Sequence, residues 1–322
     1  MSLSKSINFS IRPNKSVEIK IVFNLLLEID QILNFKDYQY IGFGSLWFSD
    51  LIMAHKMLSI SDMKSIESDP YLSSRADFNK PYSCVKIYPG ESNSILPTLP
   101  IGENNLLAWL DYTSSLDKSI LEDLTTLCRK ANIGSIILTT INVHKGSLPN
   151  KDEAGREFMT DQEKLKFVAG DLIPAELPSN IMQKSKYPPY IADRLFEHLR
   201  RQVRKSGRED VTVLPIFNIG YNDDAPMLTI GAILVDQELE KKIKQRLLDC
   251  KLSAFLDEKR HLQIGVPALT LKEKATLEPL FPNEFTPREE DILRLGFKLK
   301  PSEIEAYHKF YKYYPTFWEF NS

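Results

Sequence analysis

The chain has 322 residues, 43% of them hydrophobic, and its 41 Lys and Arg nearly balance 43 Asp and Glu for a formal charge of -2. That much apolar material excludes a globally disordered chain, and the charge balance excludes a globally basic nucleic-acid coat, though not a local basic face. The three cysteines, Cys84, Cys128 and Cys250, lie far apart and form no CxxC pair, which points to a reduced compartment rather than a disulfide framework.

In chain order, Val17, Ile21, Leu25, Ile29 and Leu33 recur at helical spacing and predict a helix over Ser16–Phe35. Pro13 disfavours helix at Arg12, and Asn14 or Ser16 is the candidate N-cap. Tyr38–Ser45 reads as a short strand ending in the glycine turn Gly42-Phe43-Gly44-Ser45, and a second helix follows over Leu46–Leu58. Met63–Glu67 reads as a strand ending in an acid. Ser83–Tyr88 is a third strand, closed by Gly90-Glu91-Ser92, with a loop over Arg75–Tyr82 before it. Leu106–Leu110 is a nearly all-apolar fourth strand ending at Asp111, Ile120–Ala131 a helix, and Ser135–Val143 a β-branched fifth strand. Strands alternating with helices predict a mostly parallel, Rossmann-like α/β sheet covered on both faces.

Residues 144–210 break that rhythm with Pro149, Gly155, Gly170, Pro174, Pro178, Pro188 and Pro189, and read as an insertion of loops and helices. Val211–Ile219 and Met227–Val235, joined by the turn-rich residues 220–226, predict an antiparallel hairpin. From Leu239 the chain reads as mostly helical, with helix starts at Pro287 and Pro301 and an aromatic tail from Tyr307 to Phe320. The expected organisation is a core of 1–143 with 211–238, an insertion over 144–210 that faces an acceptor or partner, and a helical extension over 239–322. No run approaches the roughly 18 apolar residues of a membrane span. Met1–Ser10 lacks the order of a signal peptide, so a cytoplasmic location with no membrane association is expected.

The chemistry concentrates at strand ends. Glycines at 42 and 44 let backbone approach a ligand, and the following helix N-terminus offers free N–H groups. Glu67 stands 23 residues after Gly44, where an acid accepts hydrogen bonds from ribose hydroxyls in nucleoside-binding α/β folds. Gly90, Glu91, Asp111 and Tyr112 close the third and fourth strands and would line the same crevice; a helix N-cap is the plainer role for Asp111.

In these residues the chain resembles the class I S-adenosylmethionine-dependent methyltransferases. Tyr40-Ile41-Gly42-Phe43-Gly44-Ser45 stands at that family's glycine-rich motif, Ile66-Glu67 at its ribose-binding acid, and Gly90-Glu91-Ser92 at the turn near the adenine. Leu107-Ala108-Trp109-Leu110-Asp111-Tyr112 is similar to its fourth motif, which faces the methyl group, and the hairpin looks like its antiparallel last strands. The chain is also similar to uncharacterised bacterial proteins labelled as O-methyltransferases, some found beside antiviral defence genes. The resemblance implies S-adenosyl-L-methionine as cofactor and Asp111, Tyr112 and His144 as catalytic candidates. It implies Gly42, Gly44, Ser45, Glu67, Gly90, Glu91 and Asp111 as cofactor contacts. Two departures stand out: Tyr40 replaces an acid two residues before the first glycine, and Leu46 replaces a third glycine. No Asn-Pro-Pro-Tyr or Asp-Pro-Pro-Tyr tetrad is present, which argues against a typical DNA amino-methyltransferase.

Arg12 and Lys15, beside the first helix start, suit a carboxylate or phosphate. Residues 184–208 carry eight basic residues against two acids. There Arg194, Arg201 and Lys205 would share the helix face opposite Ile191, Leu195, Leu199 and Val203, a face for a nucleic acid or phosphate-bearing acceptor or simply a solvated one. Tyr187 and Tyr190 could stack on bases. The five histidines show no metal-ligand spacing, so no metal is expected. Two alternatives stay open: an NAD(P)-dependent oxidoreductase, which Glu67 fits but the hairpin does not, and a non-catalytic binding module of a bacterial defence complex. A homo-oligomer or complex subunit is equally open.

Overall fold

A computed structural model describes residues 11–178, 180–250, 261–282 and 287–315. Helix α1 spans Pro13–Leu33, with Arg12 as N-cap and Pro13 at the first position. It thus starts three residues earlier than predicted, because proline's fixed φ suits a first helical turn that lacks N–H partners anyway. Strand β1 (Gln39–Gly42) leads through a turn to α2 (Ser49–Leu58), then β2 (Asp62–Glu67), α3 (Pro70–Asn79), β3 (Val85–Pro89) and the short α4 (Ser92–Ile95). Next come β4 (Leu106–Ser115), α5 (Lys118–Lys130), β5 (Ile136–Asn142), α6 (Asp161–Ala169) and α7 (Tyr187–Lys205). The chain closes with β6 (Thr212–Asn222), β7 (Pro226–Val235), α8 (Gln237–Asp249), β8 (Leu262–Gln263), α9 (Leu271–Leu277), α10 (Glu289–Arg294) and α11 (Pro301–Phe310).

The sheet order is β3-β2-β1-β4-β5-β7-β6-β8. β1 to β5 pair in parallel, β7 runs antiparallel to both β5 and β6, and β8 pairs in parallel with β6. The fold is therefore Rossmann-like, with the antiparallel hairpin read from the sequence. Strand order reverses between β1 and β4, which places the ligand crevice of an open α/β sheet at their carboxyl ends.

Each buried strand feeds two cores. In β4, Leu107 and Trp109 join α1, α2 and α8 on one face, and Leu106, Ala108 and Leu110 join α5, α6 and α7 on the other. Such strands read as continuous apolar runs because neither face meets water. Ile191, Leu195, Leu199 and Val203 of α7 are all buried, and α7 packs on α5, β6 and β7, so this helix of residues 144–210 forms part of the layer over the sheet.

Several boundaries differ from the sequence reading. α2 starts at Ser49 rather than Leu46, because Ser45 and Phe48 take positive φ and a turn separates the glycines from the helix. Residues 75–79, read as loop, belong to α3, which Asp69 caps by accepting from the N–H groups of Tyr71 and Leu72. β4 runs five residues past Leu110, and its register with β5 shifts between Asp111 and Ser115, an irregularity of the kind that re-aims side chains beside functional sites. β6 and β7 leave only 223–225 as their turn. β8 interrupts a stretch read as helical, and α10 begins at Glu289, after Pro287. Residues 316–320 of the aromatic tail and residues 1–10 lie outside the described residues.

Candidate active site

A cavity of about 630 Å³ opens at the carboxyl ends of β1, β2 and β4. Its strand-end wall carries Ser45, Glu67, Gly90, Glu91, Asp111 and Tyr112; its opposite wall carries Arg12 and Lys15 from the start of α1 and Asp223 and Asp224 from the β6–β7 turn.

The glycine turn is shaped by close approach. A Cβ on Gly44 would meet the Phe48 ring and sit 2.7 Å from Ser65 Oγ, the atom that accepts the Gly44 N–H at 3.0 Å. A Cβ on Gly42 would lie 2.9 Å from Tyr40 Cε1 and 3.1 Å from an Asp50 carboxylate oxygen. Tyr40, standing where the resemblance expects an acid, donates its hydroxyl to Asp50 Oδ2 at 2.5 Å. α2 thus delivers a carboxylate to the end of β1 from ten residues downstream. Burial lifts the Asp50 pKa to about 6, against the pull of the Tyr40 hydroxyl.

Glu67 ends β2. Its side chain accepts the Asp69 N–H at 3.0 Å, and its carbonyl accepts the Gly90 N–H at 2.9 Å, which ties the β2 end to the turn after β3. Gly90 has φ of +138°, a conformation that suits glycine alone. Tyr112 donates its hydroxyl to Asp123 Oδ2 at 2.5 Å, and Ser92 donates to the same oxygen. Burial, reinforced by the Asp123 charge, pushes the Tyr112 phenol far above its ordinary value, so it holds its proton. Its ring packs edge-on to Phe43 at 5.0 Å.

On the opposite wall every cation already has a carboxylate. Arg12 pairs with Asp224. Lys15 Nζ lies 2.7 Å from Asp111 and 3.0 Å from Glu18. Burial disfavours the Lys15 charge, but Asp111 and Glu18 outweigh it and hold its pKa well above the usual lysine value. The first turn of α1 is capped by Asp223, which accepts from the N–H groups of Asn14 and Lys15 at 3.3 and 3.1 Å and from Asn14 Nδ2 at 3.0 Å. The anion expected beside Arg12 and Lys15 is therefore supplied by the chain itself.

A model of the family described as "Putative O-methyltransferase" matches residues 7–322. The chain belongs to this family. Among solved structures it is similar to Trm1 from Pyrococcus horikoshii with S-adenosyl-L-methionine, at 12% identity and a TM-score of 0.44 over 72% of this chain. This chain spans 58% of that one. It is also similar to the O-methyltransferase TomG from Streptomyces achromogenes in complex with SAM, at 15% identity and a TM-score of 0.37, covering 73% of this chain and 93% of that one. No curated protein matches the chain.

In this O-methyltransferase family member, eight sequence-predicted residues line this cavity: Arg12, Lys15, Ser45, Glu67, Gly90, Glu91, Asp111 and Tyr112. Gly42 and Gly44 shape its floor without lining it. His144 does not line it; the residue is exposed, and its backbone N–H donates to Asn142 Oδ1 at 2.7 Å. Arg194, Arg201 and Lys205 do not line it either; their helix α7 packs on α5, β6 and β7. Arg194 stacks over Tyr190 at 5.6 Å, Arg201 pairs with Glu197 at 2.8 Å, and Lys205 is exposed. None of residues 144–210 lines the cavity. Sequence reading missed Asp50, Glu18, Asp123, Asp223 and Asp224. Asp223-Asp224 in a hairpin turn was a visible signal; the other three sit inside helices, where nothing marks them. Among the described residues no three His, Cys, Asp or Glu side chains group as metal ligands, and no helix is long and apolar enough to cross a membrane.

Proposed function

We propose that the protein transfers a methyl group from S-adenosylmethionine to a hydroxyl of a small acceptor. The observation that carries this reading is the convergence of the glycine turn, Glu67, the Gly90-Glu91 turn and Asp111 on one cavity at the point where strand order reverses. The family assignment supports it. The residues suit the cofactor: the floor at Gly42 and Gly44 has no room for a Cβ, and an acid ends the neighbouring strand.

When bound, S-adenosylmethionine supplies a methyl group already activated on a sulfonium. Glu67 would hold the ribose hydroxyls, and Glu91 would lie on the adenine side of the cavity. Asp50, held by Tyr40, places a carboxylate behind the floor at Gly42. Asp111 accepts the acceptor's hydroxyl proton on Oδ1, since Lys15 occupies Oδ2. The rest is alignment and exclusion of water, which can contribute about 7–11 kcal/mol. Tyr112 orients the acceptor through its ring, its proton being committed to Asp123.

Calorimetric titration with S-adenosylmethionine and S-adenosylhomocysteine tests the reading. Micromolar binding by the wild type that weakens at least ~10-fold in Glu67→Ala is expected, the loss of one charge-assisted pair of ribose hydrogen bonds. Absence of binding by the wild type overturns it.

A further inference from the structure

Behind Asp111 and Lys15 lies a buried acid, Glu18, that the transfer step does not touch. Glu18 is fully buried on α1. Its Oε1 accepts the Thr229 hydroxyl at 2.5 Å, and its Oε2 lies 3.0 Å from Lys15 Nζ. Thr229 Oγ1 lies 2.8 Å from Thr140 Oγ1, which accepts Trp109 Nε1–H at 3.1 Å. Trp109 can only donate, so Thr140 Oγ1 accepts there, and Glu18 Oε1 ends the hydrogen-bonded chain that runs through Thr140 and Thr229. Burial raises the Glu18 pKa against the pull of Lys15 and the Thr229 hydroxyl, and the Asp111 charge raises it further.

Lys15 stands between Glu18 and Asp111, its side chain 6% exposed, over the rings of Trp109 at 5.0 Å and Tyr221 at 5.4 Å. One ammonium therefore stands within ion-pair distance of two acids, and with both ionised the unit carries one surplus negative charge. Asp111, with a side chain 32% exposed, is the member through which that charge meets the cavity. A closed ion pair would need only one acid. In a medium of low polarisability a surplus charge acts over several ångströms.

We propose that Glu18, Lys15 and Asp111 form a site for the cationic sulfonium of the donor, and that Glu18 is the positioning residue that makes the cavity prefer charged donor to neutral thioether product. This rests on the cofactor reading above. The preference favours release of the product, because the thioether formed by transfer carries no charge to compensate the cluster.

The test is calorimetry with three probes that share the adenosine and amino-acid ends: S-adenosylmethionine, S-adenosylhomocysteine, and sinefungin, which bears a protonated amine in place of the methylated sulfur. The wild type is expected to bind both charged probes more tightly than the thioether. Glu18→Gln is expected to reduce that preference by roughly five- to tenfold, by weakening the charged probes and leaving the thioether within about twofold. An unchanged ratio, or equal weakening of all three, overturns the proposal, since a merely structural Glu18 acts on every ligand alike. Should the Glu18 variant fail to fold, Asp111→Asn, at a partly exposed position, is read by the same ratio. Failure of all three probes to bind the wild type overturns the cofactor reading, and this inference with it.

Discussion

The two walls of the cavity are built on different principles. The strand-end wall is a product of backbone: glycines at 42 and 44 with no room for a side chain, a positive φ at Gly90, and a carbonyl of Glu67 that ties two strand ends together. The opposite wall is a product of charge: Arg12 with Asp224, the α1 N-terminus with Asp223, and Lys15 between Glu18 and Asp111. The first determines what shape fits. The second determines what charge fits, and it does so with residues more than 200 positions apart.

The sharpest way to break the backbone wall is Gly44→Ala. The new methyl must displace Phe48 and Ser65 Oγ, and a loss of about 1–3 kcal/mol in unfolding free energy is expected, with loss of cofactor binding. Chemical denaturation and calorimetry check both.

Asp223→Ala attacks the charge wall. It removes the acceptor of two backbone N–H groups and the Asn14 amide, and about 0.5–2 kcal/mol of stability is expected to go with it. Retained stability would mean that water caps α1 as well as the carboxylate does.

A smaller effect separates Asp50 from the other acids. Its folded pKa, about 6, lies above the ordinary carboxylate value of about 3.9 in the unfolded chain. The folded state therefore binds the proton more tightly, and the ionised group costs stability above pH 6. That cost fades as pH falls towards 4. Asp50→Asn is expected to melt higher than the wild type above pH 6, with the difference closing at acid pH, as thermal melts across that range would report.

The smallest change is expected from α7. Arg201→Ala and Lys205→Ala alter an exposed face away from both walls and should leave donor affinity within about twofold. A larger change would tie α7 to the cavity.

The two walls were unequally legible. The strand runs, the glycine turn and Glu67 follow from contiguous residues, because a buried parallel strand and a tight turn impose their own composition. α2 was read too early because Leu46 and Phe48 fit a helical pattern while Ser45 and Phe48 in fact take positive φ. β8 was missed because its two residues carry no period. Arg12 and Lys15 were placed at the pocket but read as awaiting an anion, and the basic face of α7 was read as a possible acceptor surface although it stands clear of the cavity.

By itself the sequence determined the Rossmann-like order of elements, the antiparallel hairpin and the acid and glycines of the strand-end wall, all consequences of local periodicity and turn chemistry. Only the tertiary structure decided which carboxylate meets which cation, that Asp50 stands beside Tyr40 at the end of β1, and that Glu18 lies behind Asp111. Those pairings depend on where α1, α2 and the β6–β7 turn dock against the sheet. An ion pair between distant segments leaves no spacing in the sequence, because its geometry is a property of packing.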